Sequence, residues 1–254
     1  MYILGSPHVH HDHDYHHDHH HHDLPSDHHH DDPHNQSYAS VQIPTNFRLD
    51  HCHPVLIHER FLLTSARCVL DPDEPVRQIR LGDQNPVDYE VLRIIVHPKY
   101  KPMTNERYND IALLETKETI QFTEEIYPSC LSELRPTAGS VVIDNISDPG
   151  SGEDDNLEII DSLQCEHIYK GEGIEVSLQN LILATDIFCA DFKGSNKCER
   201  QTRGALFQDI SEHRFLIGLV SKNASCTQPA ALTLPGFYTS VADHIGFINN
   251  IIYP

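Results

Sequence analysis

The sequence predicts an all-β protein closed by a C-terminal helix, and three observations carry that prediction. Short apolar runs separated by turn residues recur from about Ser37 onward: "PVLIHERFLLTS", "YEVLRIIVHPKY", "DIALLETK", "LFQDI" and "RFLIGLVS". Runs of this length and spacing read as strands. Only the end of the chain has a helical period. Val241, Ile245, Ile248 and Ile252 recur at three and four residues, an apolar stripe for a helix over about 241–252. The cysteines (Cys52, Cys68, Cys130, Cys165, Cys189, Cys198 and Cys226) include no CxxC pair. That spacing argues against a zinc ribbon and for structural disulfides in an oxidising compartment. Many strands with one closing helix imply a barrel or sandwich.

Composition sets the N-terminal part aside. No Lys or Arg precedes Arg48, while the first 47 residues hold seven Asp and fourteen of the 21 His. Residues 7–34, "PHVHHDHDYHHDHHHHDLPSDHHHDDPH", have almost nothing to bury and are expected to be disordered. Over the whole chain the formal net charge is −20, which disfavours nucleic acid or an anionic membrane as partner. No apolar run approaches the ~18 residues of a membrane span. The start, "MYILGSPHVHHDHD", lacks a basic n-region and has only a four-residue apolar patch, so it does not read as a signal peptide. Disulfide chemistry without a secretory address leads us to expect a missing upstream portion.

One short stretch carries more than fold. "FLLTSARCVL" (61–70) resembles the "LTAAHC" signature of trypsin-like serine proteases, in which the histidine is the general base. The likeness continues in order along the chain. "HCHPVLI" is similar to "CGGTLI", "RLGDQNPVDYEVLRIIVHPKYKP" to "RLGE…IVVHPEY", and "YNDIALLE" to the segment bearing the triad aspartate. "FCADFKGSNKCERQTRGALF" stands where the family has "CAG…CQGDSGGPL", and "GLVSKNASCTQPAALTLPGFYTSVADHIGFI" resembles "GIVSWG..CA…PGVYT.V..Y..WI". Six matches in sequence cover about residues 40–252. Cysteine spacing is most like that of arthropod clip-domain proteases of immune and developmental cascades. The resemblance implies two six-stranded antiparallel β-barrels, about 37–132 and 133–240, with the closing helix at about 241–252. Residues 1–36 are then a tail and 37–254 the homology domain.

Departures from the family pattern fall on the chemistry. A triad needs a nucleophile, a base to take its proton and a buried acid to orient the base. By resemblance Asp110 holds the acid position, Arg67 the base position and Thr202 the nucleophile position. Arginine stays protonated above pH ~12 and cannot act as a base. Threonine nucleophiles commonly use an N-terminal amine as base, and nothing near Thr202 in sequence supplies one. Arg200 and Arg203 stand where the family has loop glycines, and Gln201 where it has the aspartate that receives the new amino terminus on zymogen activation. A neutral amide cannot pair with an ammonium as a carboxylate does. No Ile-Val-Gly-Gly tetrapeptide precedes Cys52. Losing triad members costs on the order of 10⁶-fold in turnover, and an oxyanion donor ~10²–10³ more. The pocket positions implied are Asn196, Ser221, Asn223 and Gly236, and Asn196 offers no carboxylate for a Lys or Arg side chain.

The resemblance also pairs Cys52 with Cys68, Cys165 with Cys189 and Cys198 with Cys226. Cys130 is left unpaired, or bonded to another chain or a missing N-terminal module. Arg67 is read as paired with Asp110, or as adapted to hold a ligand. His51, His53 and His97 read as surface or core histidines. Sequons begin at Asn35, Asn145 and Asn223. In the tail, His10, His13, His16, His19, His20, His21 and His22 offer weak sites for Zn or Cu. No cofactor is otherwise expected.

The expected function is that of a catalytically inactive homologue, a binding cofactor or decoy in an extracellular proteolytic cascade. Its partner would be a protease, a zymogen or another protein, with no nucleic acid and no membrane insertion. Two rivals remain: an endopeptidase or other hydrolase with residual activity, and a metal-binding protein acting through its His-rich tail.

Overall fold

The computed structural model describes residues 41–42, 53–70, 76–82, 85–102, 108–144, 155–171, 186–192, 204–211, 213–222, 225–227 and 232–254. The chain divides into two compact units, Met1–Pro33 and His34–Pro254. Every described element belongs to the second.

Strands β1 (Val41–Gln42), β2 (Val55–His58), β3 (Phe61–Thr64), β4 (Gln78–Leu81), β5 (Val87–Val96) and β6 (Ala112–Thr116) form one antiparallel sheet in the order β1-β4-β5-β6-β3-β2. It does not close among the described residues, so the first expected barrel is a half-barrel. β1 is two residues long and spends its register on β4, while the Leu56 carbonyl in β2 accepts the Ser129 N–H at 2.8 Å. Among the described residues, neither edge strand is bonded to the other.

The second sheet closes. Its strands are β7 (Cys130–Leu131), β8 (Val141–Asp144), β9 (Asp155–Ile160), β10 (Ile187–Phe192), β11 (Ala205–Ile210), β12 (His213–Lys222) and, after the β13 (Ser225–Thr227) and β14 (Leu232–Leu234) ribbon, β15 (Gly236–Ser240). The order is β11-β8-β9-β10-β15-β12-β7, and β11 also pairs with β12, completing a six-stranded barrel. β7 lies outside that ring, parallel to β12, a departure from the all-antiparallel expectation.

Strand burial explains why several runs read as continuously apolar. β3 (FLLT) and β6 (ALLET) are buried on both faces. Alternate side chains point to opposite faces of a strand, so Leu62, Ala112 and Leu114 pack inside the half-barrel with Leu56, Ile79 and Leu81. Their neighbours Phe61, Leu63, Ile111 and Leu113 turn the other way, onto Phe207, Leu216 and Leu219 of the closed barrel. That seam is sealed by Val241 and Ile248. The interior of the closed barrel is filled by Val142, Leu157, Phe188, Phe192, Ile217 and Tyr238, among others.

The terminal helix begins later than its stripe suggests. A 3-10 turn (Ala242–His244) comes first, and the α-helix proper is Ile245–Ile252. A further helix, α1 (Ser162–Gly171), is absent from the sequence reading. Its core-facing stripe is only Cys165 and Tyr169, with Ile168 partly buried beside them, too little for a periodic signal. Asp161 starts it, its Oδ1 accepting the Leu163 and Gln164 N–H groups at 2.9 Å. The Cys165–Cys189 disulfide anchors it to β10 across a Cα–Cα distance of 6.4 Å.

Candidate active site

The site is built where β3 ends. The chain leaves the strand at Ser65 and makes a 3-10 turn over Ala66–Cys68, closed by Cys68 N–H to Ser65 O (3.0 Å) and Val69 N–H to Ala66 O (3.2 Å). Ala66 and Cys68 are buried, which leaves Arg67 pointing outward from the turn. Cys68 is disulfide-bonded, which adds a covalent restraint on the turn.

Asp110 faces it from two residues ahead of β6 and is almost wholly buried. Its Oδ1 accepts the Arg67 backbone N–H at 2.9 Å. Its Oδ2 accepts the Ser221 hydroxyl at 2.9 Å and lies 3.6 Å from Arg67 Nε. The guanidinium then folds back onto β12, where Nη2 donates to Val220 O at 3.2 Å. Ser65 Oγ donates to the same carbonyl at 2.6 Å. Arg67, Asp110 and Ser221, 43 and 111 residues apart in two of the pairings, thus converge across the seam between the sheets. The cluster carries one fixed cation and one buried carboxylate. It offers no group in the Arg67 position that can take a proton.

A second set of contacts fixes Asp110 from behind. Asn109 adopts φ 55, a left-handed conformation that Asn tolerates better than most residues. Its N–H donates to Asp186 Oδ2 at 2.6 Å, and that oxygen also lies 3.7 Å from His244 Nε2. His244 is buried, its Nδ1 2.8 Å from Ser240 O, and its ring meets His97 edge-on at 5.3 Å. Burial, with His244 and Lys99 nearby, holds the His97 imidazole below its ordinary pKa, against an opposing pull from Asp186. Sequence reading did not single out Asp186, Asn109 or His244. The only signal was Asn109 itself, a turn-tolerant residue placed directly before the acid.

Of the other expected site residues, Gly236 lies at the start of β15, its backbone paired with Ala190. A Cβ there would lie 2.7 Å from the Tyr238 hydroxyl. Thr202, Arg200, Gln201, Arg203, Asn196 and Asn223 lie outside the described residues, as do Cys52, Cys198 and the His-rich tail from His10 to His22. The Cys226 side chain is likewise outside them. Cys130, on β7, is free and exposed.

The chain has relatives among known proteins. A family model described as Trypsin matches residues 27–248. "CLIP domain-containing serine protease B4" of Anopheles gambiae is 27% identical over 80% of this chain and 62% of its own length. "Serine protease snk" of Drosophila melanogaster is 26% identical over 80% and 49%, and "Phenoloxidase-activating factor 1" of Holotrichia diomphalia 25% over 83% and 64%. The chain therefore spans between about half and two thirds of the length of these relatives. Among solved structures, kallikrein-related peptidase 10 complexed with Zn²⁺ superposes with a TM-score of 0.62 at 22% identity, covering 86% of this chain and 96% of that one. A likeness at that identity speaks for the fold alone. With the family match spanning most of its length, the chain belongs to the trypsin family.

Proposed function

We propose that this protein is a catalytically inactive member of the family that acts as a binding cofactor or decoy in an extracellular proteolytic cascade. One observation carries the reading: the side chain that meets Asp110 is a guanidinium, held by the carboxylate and by Val220 O. By the motif resemblance that place belongs to the base, and an arginine cannot receive the nucleophile's proton. The remaining positions support the same reading from sequence. Thr202 stands for the nucleophile, Arg200 and Arg203 for loop glycines, and Gln201 for the activation aspartate. Each change alone costs turnover, and together they leave little to select. Asn196, Ser221, Asn223 and Gly236 would line a pocket without a carboxylate, so no preference for Lys or Arg is expected.

The cascade setting rests on the relatives, among them a phenoloxidase-activating factor and clip-domain proteases. The Cys165–Cys189 disulfide supports an oxidising compartment. On this reading residues 37–254 form the binding scaffold and 1–36 a tail, with a protease or its zymogen as partner.

Assays on the purified full chain test the catalytic half. We expect no turnover of peptide or ester substrates and no labelling by a serine-directed fluorophosphonate. The double substitution Arg67→His with Thr202→Ser is expected to remain inactive, because Arg200 and Gln201 still disturb the site. Turnover above a heat-killed control, or stoichiometric labelling at Thr202, would establish the residual-hydrolase alternative instead. The binding half predicts a saturable effect of the chain on activation of a clip-domain zymogen, and no effect at any ratio would remove it.

A further inference from the structure

We propose that His97, His244 and Asp186 form an acid-sensitive latch behind Asp110, closed while both rings are neutral and opened when both are protonated. The three groups come from separate parts of the chain: the turn after β5, the 3-10 turn before the terminal helix, and the residue ahead of β10. His244 is buried, and its Nδ1 lies 2.8 Å from the Ser240 carbonyl oxygen. A carbonyl only accepts, so Nδ1 carries the proton of the neutral ring and Nε2 the lone pair. A second proton on Nε2 would face Asp186 Oδ2, 3.7 Å away. His97 Nδ1 accepts the Lys99 N–H at 3.3 Å, so its neutral ring is protonated on Nε2, and a second proton would displace that bond. The half-buried His97 ring packs edge-on against His244, with centroids 5.3 Å apart, and against Phe247 at 4.7 Å.

Two imidazoles thus share one carboxylate. Asp186 balances one imidazolium, and a second sets like charges on touching rings. The neighbouring carboxylates are committed elsewhere: Asp243, on the His244 turn, pairs with Arg135 at 2.7 Å, and Asp110 holds Arg67 and Ser221. On the other side of His97, Lys99 adds a cation that also opposes its protonation. The strain of a doubly charged pair reaches the site, because the latch grips both neighbours of Asp110. The Asn109 N–H donates to Asp186 Oδ2 at 2.6 Å, and the His97 N–H donates to the Ile111 carbonyl at 3.0 Å. Rings driven apart therefore loosen the 109–111 segment from both sides, and with it the hold of Asp110 on the 66–68 turn and on Ser221. The face built around Asp110 is set for neutral surroundings and yields in mildly acidic ones. The inference stands apart from the cascade role and survives or fails on its own.

Amide hydrogen exchange on the full chain tests it, read as protection factors so that the intrinsic pH dependence of exchange cancels. Between about pH 7.5 and 5, protection of the His97 and Asn109 amides is expected to fall about tenfold or more, while that of β3 and β12 stays within about twofold. Proton resonances of the imidazoles give a second reading. The His97 midpoint is expected below about 6.5 in the native chain, higher in His244→Gln and lower still in Asp186→Asn. The first variant removes the competing cation and the second removes the shared anion, so the two shifts must have opposite signs. Undiminished protection of His97 and Asn109, an equal loss in all strands, or two variants that move the midpoint in the same direction would each overturn the proposal. The exchange measurement needs no variant and decides alone where a substituted chain does not fold.

Discussion

Replacing Arg67 by Met removes the cation beside Asp110 while keeping most of the aliphatic stem. At the observed 3.6 Å separation, two unit charges attract by about 4.6 kcal/mol in a medium of effective dielectric 20. That figure is an upper bound for this pair. The Arg67 side chain is 28% exposed, so water screens it, whereas Asp110 at 2% has no such recourse. Breaking a fully buried pair from one side costs ~3–5 kcal/mol, and an exposed pair contributes ~0–1. The mixed environment places Arg67→Met at a loss of about 1–3 kcal/mol. The Ser221 hydroxyl and the backbone N–H of residue 67 still serve the carboxylate, which is why the loss stays below the fully buried range.

Equilibrium denaturation of the full chain, with Asp110→Asn and the double variant completing a cycle, measures the coupling. Domains of this size shift by roughly 2–4 °C in Tm per kcal/mol, so the single change is visible in a thermal scan. A stable or stabilised Arg67→Met protein, or a coupling within about 0.5 kcal/mol of zero, would refute the view that Arg67 serves as the counter-ion of Asp110.

Two further perturbations follow from packing and titration. Gly218→Ala would put a Cβ 2.5 Å from the Phe188 ring, itself stacked on Tyr238, so a loss of about 1–3 kcal/mol is expected from overpacking; a neutral result in denaturant would mean the ring can move aside. His97 has a folded-state pKa below its unfolded one, so the neutral ring's contribution is present above about pH 6.5 and is lost as pH falls through the depressed value. His97→Gln is therefore expected to flatten the acid side of the stability–pH curve, and an unchanged slope between about pH 6.5 and 5 would contradict it.

The sequence announced the strands that are buried on both faces, because Phe61–Thr64 and Ala112–Thr116 must be apolar at every position to serve two cores at once. It was silent about α1, where a disulfide and one tyrosine replace the apolar stripe that a free helix would need. Closure was also illegible locally. Whether β11 meets β12 or β1 meets β2 depends on long-range register, and pattern fixes which residues face inward, not which edges join. At the site, motif order singled out Arg67, Asp110 and Ser221. The Asp186 contact to Asn109 spans 77 residues and has no local trace beyond the Asn itself.

The retained aspartate is the apparent conflict in the non-catalytic reading, since a chain freed from catalysis has no chemical reason to keep it. Its contacts remove the conflict. One oxygen holds the backbone of the 66–68 turn and the other holds Ser221, so a single buried carboxylate ties the end of β3 to β12 across the seam. Exchange for an apolar residue would leave a buried N–H and a buried hydroxyl without an acceptor, at about 1–3 kcal/mol each. Once Asp110 must stay for the fold, its charge must still be answered in a low-dielectric site. An imidazole answers it with a positive charge only when protonated, whereas a guanidinium does so at every physiological pH. On the proposed reading, Arg67 is the residue that loss of catalysis permits and the retained carboxylate favours.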